Sequence, residues 1–141
     1  MSDLFSDLHN NPAVLTHAET TTLSLVSLYE SGYLLHIDTQ KVTSLGPFYG
    51  NPTCGLISHD SQWVVMGGAH LIVWRQGVLT EIPTKEIFAV RQTDTEKVHI
   101  LTDPWDPACA VWELNISTLV LQKIRPFTDY LGRAYTETVI W

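Results

Sequence analysis

Basic residues are scarce in this chain. It carries 8 Lys and Arg against 15 Asp and Glu in 141 residues, a formal net charge of −7 at pH 7. A surplus of negative charge is repelled by the phosphates of nucleic acids and by anionic membrane surfaces. We therefore expect neither nucleic acid nor a membrane as the partner, and we expect a basic protein.

Cysteine and long apolar runs are also scarce. Cys54 and Cys109 lie in strand-like runs, where a reduced, buried thiol is the favoured interpretation over a disulfide. No apolar run approaches the roughly 18 residues that span a bilayer. The stretch from Met1 to His9 has Asp3 and Asp7 before any base, unlike a signal peptide. These features predict one cytoplasmic domain over residues 1–141.

The sequence lacks the common metal-binding and catalytic motifs. No histidine lies in an H-E-x-x-H pattern, neither cysteine has a C-x-x-C neighbour, and there is no G-x-S-x-G elbow. We therefore expect no metal, no cofactor, no catalytic residue and no enzymatic activity. An enzyme or small-ligand binder that uses His and Cys at a hub between repeats is a third-ranked alternative. The histidines are His9, His17, His36, His59, His70 and His99.

Short apolar runs separated by tight turns are the pattern that is present. It is clearest from Trp63 to Ile82, where apolar runs flank Gly67-Gly68 and a third run follows Arg75-Gln-Gly77. Runs of β-branched and aromatic residues joined in this way predict antiparallel hairpins. The stretch is therefore predicted to be a three-stranded meander, mostly core, with Trp74 as a packing residue.

The same pattern recurs on both sides of this meander. Ile37, Trp74 and Trp112 fall in register at intervals of 37 and 38 residues (74 − 37 and 112 − 74). A fourth strand is predicted after each copy, at residues 54–59, 87–91 and 136–141. The predicted repeats cover about residues 23–59, 60–91 and 97–141.

Residues 1–22 differ from the repeats and form a lead-in. Ser2 is predicted to cap a short helix that carries Leu4, Phe5 and Leu8 and ends before Pro12. A short strand is predicted at residues 13–15.

Internal periods of 20 to 50 residues are typical of propellers, solenoids and arrays. The four-stranded units resemble β-propeller blades of the WD or kelch type, and Val111 to Leu114 is similar to the signature of their second strand. The glycine-histidine pair of a WD repeat is missing. Propellers close with four to eight blades. Three units therefore predict an all-β, antiparallel fold that is either a half propeller, open at both flanks, or a curved sandwich.

Alternate loops of such units share one end of the sheets. One end is predicted to gather loops rich in aromatic residues, proline and acids, while the other is polar. Rigid aromatic anchors supply contact area and acids steer a basic partner, so this end suits a protein interface. Phe48, Phe127 and Leu131 are expected to fold inward instead. The predicted partner-binding residues are Glu30, Tyr33, Tyr49, Asp103, Trp105, Asp106, Asp129 and Tyr130.

As a small, acidic, tryptophan-rich chain without a catalytic motif, the protein resembles immunity proteins of bacterial toxin systems, in particular those of contact-dependent growth inhibition. The resemblance implies that it binds a cognate basic toxin domain, often a nuclease such as a ribonuclease, and covers its active site. The alternative is a structural half propeller that forms a homodimer of six blades through edges near Leu23 and Trp141, or that serves as an interaction scaffold.

Overall fold

The short apolar runs of the sequence form twelve β-strands. The computed structural model describes residues 3–141, and within them the fold is all-β apart from one helix, as predicted. That helix is seven residues long, so no helix in residues 3–141 has the length needed to cross a bilayer. The elements are α1 (Leu4–Asn10), β1 (Leu15–Glu19), β2 (Leu23–Leu28), β3 (Ser31–His36), β4 (Lys41–Pro47), β5 (Cys54–Ile57), β6 (Trp63–Gly67), β7 (Leu71–Arg75), β8 (Val78–Ile82), β9 (Ile87–Asp94), β10 (Lys97–Thr102), β11 (Ala110–Asn115) and β12 (Leu121–Pro126).

The twelve strands form three antiparallel sheets of four strands each, taken in chain order. The first sheet contains β1 to β4, the second β5 to β8 and the third β9 to β12, with each strand paired to its neighbours along the chain. In the middle sheet Val65 of β6 lies opposite Val73 of β7, and Val64 lies opposite Trp74. Cross-strand pairs of β-branched and aromatic residues stabilise such hairpins. The three predicted four-stranded units are confirmed.

The assignment of strands to units differs from the prediction by one strand. The strand that begins at Cys54 pairs with β6, and the strand that begins at Ile87 pairs with β10. Each is the first strand of the following sheet, not the fourth strand of the preceding one. Residues 136–141 form no strand. A repeat fixes the period but not where a unit begins, and β1, which supplies the missing strand, is mostly exposed and weakly patterned.

The first strands of the three sheets lie side by side. β5 contacts β1 on one side and β9 on the other, as the inner strands of propeller blades do. The second and third sheets also approach each other closely near the hub, because a Cβ on Gly67 of β6 would lie 2.9 Å from Ile87 of β9. The outer strands β4, β8 and β12 therefore lie away from the hub formed by β1, β5 and β9.

Two apolar cores fill the space between neighbouring sheets. Leu25, Leu34 and Met66 belong to the core between the first and second sheets. Trp63 and Ile100 belong to the core between the second and third. The Trp63 ring is fully buried and its Nε1 donates a hydrogen bond to the Thr95 carbonyl at 3.0 Å. The first two strands of the middle meander are thus largely core, with the half-buried Trp74 packed against it, as predicted, whereas the third strand, β8, is mostly exposed.

The outer faces of the first and third sheets are covered by the ends of the chain. Phe5 and Leu8 of α1 pack on the first sheet. Asp3 is the N-cap of α1, and its carboxylate accepts a hydrogen bond from the Phe5 amide at 3.1 Å. The predicted cap, Ser2, lies outside the described residues. The segment 127–141 packs on the outer face of the third sheet. The two flanks that were predicted to be open are therefore covered by α1 and by the segment 127–141.

Candidate functional site at the aromatic end

Five connections between strands and the start of the segment that follows β12 lie at one end of the sheets, which we call the aromatic end. In antiparallel sheets, alternate loops share an end, and contacts between the loops show that the three sheets share it. The Phe48 amide donates to the Glu30 carbonyl at 2.8 Å, and the Asp103 amide donates to the Glu86 carbonyl at 3.2 Å. The connections of the aromatic end are residues 29–30, 48–53, 68–70, 83–86 and 103–109, and residues 127–133 after β12 join them.

A groove of about 750 Å³ opens at this end, and we call it the acidic groove. It presents three carboxylates and three aromatic rings, with no lysine or arginine among the described residues of its lining. Such a site favours a positively charged group through ion pairs and cation–π contacts. The residues that line the acidic groove are Thr53, Glu86, Ile87, Phe88, Ala89, Asp103, Trp105, Tyr135 and Glu137.

The loop 103–109 owes its shape to its two aspartates. The Asp103 carboxylate accepts a hydrogen bond from the Trp105 amide at 2.9 Å, and the Asp106 carboxylate accepts one from the Ala108 amide at 2.7 Å. Side-chain hydrogen bonds of this type fix a turn locally. Each bond uses one carboxylate oxygen, so the second oxygen of Asp103 is left for a ligand in the groove.

Trp105 holds the chain that follows β12 in place. Its Nε1 donates to the Arg133 carbonyl at 3.0 Å. Its ring lies 5.0 Å from the ring of Tyr135, 5.7 Å from that of Phe88 and 6.0 Å from that of Tyr130. The main role of Trp105 is therefore to pack within the protein, and only the part of its ring that faces the groove is available to a partner.

Tyr130 has a similar structural role. Its hydroxyl accepts a hydrogen bond from the Ile140 amide at 3.0 Å, and its ring stacks on Phe127 at 5.9 Å. Asp129 beside it is exposed. Of the eight predicted partner-binding residues, Asp103 and Trp105 thus line the acidic groove, and the ring of Tyr130 packs against Trp105. Asp106 and Asp129 are exposed in the same two segments of the aromatic end.

The other three predicted residues lie around the first sheet. Tyr49 is 80 % exposed, with its ring 6.2 Å from that of His70, and Glu30 is exposed in the β2–β3 turn. Both lie at the aromatic end. Tyr33 does not: it is half-buried on β3 within the cluster beneath α1. The strand alternation places it on the face of the sheet that the helix covers.

Three apolar residues of this end were expected to fold inward. Phe48 and Phe127 are fully buried, which confirms the prediction for both. Leu131 is 38 % exposed, so the prediction was wrong for it. The segment 127–141 lies on the surface of the third sheet and can bury only part of its own apolar residues.

Sequence reasoning missed seven of the nine residues that line the acidic groove, and four of the seven are acidic or aromatic. Glu86 lies in a loop already assigned to this end, so a signal for it was present. Phe88 is on β9, and an apolar residue on a strand is normally expected to belong to the core. Glu137 belongs to the segment 136–141 that was expected to be a strand, and Tyr135 directly precedes it; the path of this segment over the third sheet follows from tertiary contacts.

The described part of the hub carries no activated nucleophile. Burial raises the pKa of the Cys54 thiol to about 11, and burial also raises the pKa of Cys109. His17 on β1 bonds to Ser27 at 2.8 Å, and burial lowers its pKa. Within residues 3–141, no three His, Cys, Asp or Glu side chains converge in a way that could hold a metal ion.

Comparison with known proteins shows the fold alone. No family model and no curated protein matches the chain. Among solved structures, it is similar to a putative TolB from Agrobacterium tumefaciens, with a TM-score of 0.57 and 14% identity over 81% of this chain and 50% of that one. It is also similar to hydrazine synthase of Kuenenia stuttgartiensis, with a TM-score of 0.54 and 15% identity over 77% of this chain and 36% of that one. The chain spans half or less of the length of either. Structures of this group have β-propeller-like folds, so its three sheets are propeller-like blades.

Proposed function

We propose that this protein is a binding protein that captures a basic protein through its aromatic end. The observation that carries the proposal is the acidic groove, where Glu86, Asp103 and Glu137 surround aromatic rings. A lysine or arginine side chain inserted there gains ion pairs at the walls and a cation–π contact with the rings. The net charge of −7 adds long-range attraction for a basic partner.

Within this class we propose an immunity protein that neutralises a cognate basic toxin domain, such as a ribonuclease, by covering its active site. The resemblance in size, charge and tryptophan content supports this assignment. A row of carboxylates is also a suitable substitute for the phosphates that a nuclease binds. Exposed Asp106, Asp129 and Glu30 would meet the toxin around the groove, with Tyr49 as an anchor. The proposal includes the cytoplasm as the location, as for the proteins it resembles.

The proposal predicts that the reading frame directly upstream of this protein's gene encodes a large protein that ends in a basic toxin domain, and the test is binding of that domain. Isothermal titration would compare the unchanged chain with the triple variant Glu86→Gln, Asp103→Asn, Glu137→Gln. These substitutions remove charge but keep shape, and the amide oxygen introduced by Asp103→Asn can still accept from the Trp105 amide. We expect affinity to fall by at least about tenfold and to become less sensitive to salt.

The control is Asp38→Asn together with Asp94→Asn, which removes two of the carboxylates at the opposite end of the sheets. It should bind as tightly as the unchanged chain. Equal affinity of the groove variant and the control variant for the toxin domain would refute the groove as the binding surface. No binding by either chain would refute the proposed function itself.

A self-associating half propeller is the second candidate, because the outer strands keep exposed apolar residues. Val78 and Leu79 of β8 are 64 % and 44 % exposed. The predicted contact points are occupied, however. Leu23 is buried on β2, and the Trp141 ring lies 4.1 Å from the Arg91 guanidinium. We therefore assign such a dimer to the edge of β8, and Val78→Lys would dissociate it in sedimentation experiments.

A further inference from the structure

A second groove, unrelated to the acidic one, lies on the flank of the third sheet. It has a volume of about 500 Å³ and runs between the β8–β9 connection and the face of the third sheet that looks toward the second. We call it the lysine groove. Its floor is apolar and is formed by Ile100, Trp112 and Leu121 of three successive strands. Its size lies within the range of about 300–1,000 Å³ that small-molecule sites occupy.

The charges of the lysine groove have the opposite sign to the rest of the protein. Lys85 and Lys123 line it, and no Asp or Glu of the described chain does. Neither lysine takes part in any of the ion pairs found among residues 3–141. In a chain with almost twice as many acids as bases, two such ammonium groups beside one apolar slot form a local site for an anion.

The two grooves lie on opposite sides of one connection. Residues 83–86 link β8 to β9, and successive residues there face different grooves: Lys85 lines the lysine groove and Glu86 the acidic groove. The two linings have no residue in common. Occupation of the lysine groove therefore requires no residue that lines the acidic groove.

We propose that the lysine groove binds a small amphipathic anion, with an aromatic or aliphatic body on Trp112 and Ile100 and a carboxylate or sulfonate between Lys85 and Lys123. The apolar body would displace water from the floor. Lysine stems are long and flexible, so the ammonium groups can close on the anionic end while their methylenes extend the apolar walls.

The test uses two fluorescent probes that differ by one charged group. 1-Anilinonaphthalene-8-sulfonate has the ring system and a sulfonate, and N-phenyl-1-naphthylamine has the ring system alone. We expect the sulfonate probe to bind the unchanged chain saturably at one site. Lys85→Met with Lys123→Met should raise its Kd about tenfold, roughly threefold for each lysine, and leave the Kd of the neutral probe unchanged.

Two further variants complete the experiment. Lys41→Met, which removes an exposed lysine of the first sheet, should leave both Kd values unchanged. Ala108→Phe places a ring in the groove from an exposed position and should weaken both probes, while near-ultraviolet circular dichroism checks that the fold is kept. Absence of saturable binding, or a Kd of the sulfonate probe that is the same for the double variant and the unchanged chain, would overturn the proposal.

Discussion

Burial controls the chemistry of Cys54. Part of this residue is accessible, but its Sγ faces inward, 3.1 Å from where a Cβ of Gly67 would lie. Burial raises the pKa of the thiol from 9.0 to about 11. The folded state therefore holds its proton at a pH where the unfolded chain has lost it, so this contribution to stability is present below pH 9 and is lost between about pH 9 and 11.

We expect the free energy of unfolding to fall more steeply with pH in this window for the unchanged chain than for Cys54→Ala. Urea denaturation at pH 8, 9 and 10 would measure how steeply the free energy of unfolding falls with pH for each protein. The value at pH 8 serves as the reference for that protein. Parallel slopes would mean that the Cys54 thiol is not protected by the fold.

Trp105 and Tyr130 show how a residue predicted for a partner can already be engaged. Trp105→Phe removes the donor to the Arg133 carbonyl while keeping most of the ring packing. Loss of one such hydrogen bond costs about 1 kcal/mol. We expect faster tryptic cleavage after the exposed Arg133 and little change in the global unfolding midpoint. The control is Tyr49→Phe, which changes an exposed aromatic residue outside the segment, and unchanged cleavage in Trp105→Phe would contradict the assigned role.

Among the elements, α1 stabilises the molecule by covering the first sheet. Leu8 is 3% exposed on its inner side, while Leu4 is 52% exposed on its outer side. We expect Leu8→Ala to lower the free energy of unfolding by about 2–4 kcal/mol, since it leaves a cavity beside Val26 and Leu35. Leu4→Ala on the same helix should change it by no more than about 0.5 kcal/mol. Urea denaturation compares the two, and equal losses would mean that α1 does not pack as described.

The segments that cover the outer faces of the first and third sheets also determine the oligomeric state of the whole protein. In a closed propeller, the outer faces of the first and third sheets would pack on further blades. Here α1 and the segment 127–141 occupy those faces. We expect sedimentation at micromolar concentration to give a monomer for the full chain.

Removal of residues 128–141 should produce self-association, because it uncovers Leu101, Val111 and Phe127. A matched comparison is a chain in which the same segment is present but carries Tyr130→Phe, which should stay monomeric. A truncated chain that remains monomeric and stable would show that the segment is not a cover for this face.

The sequence by itself determined most of the strands and their period, although the strand predicted at residues 136–141 does not form. Each hairpin of the region from Trp63 to Ile82 is predicted by a local pattern, an apolar run followed by a Gly-containing turn. Such a pattern depends only on neighbouring residues. The loop composition likewise located Asp103 and Trp105 at one end. Phe48 was assigned to the core on the same local grounds and is fully buried.

Only the tertiary structure decided where each unit begins and what covers its flanks. β5 has the same composition whether it closes one sheet or opens the next, and its pairing with β6 depends on the path of residues 48–53. The groove residues Tyr135 and Glu137 come from a segment without regular structure, which is held by the hydrogen bond from Trp105 and by packing on Leu101 and Val111. Such contacts join residues far apart in the chain, so no local pattern encodes them.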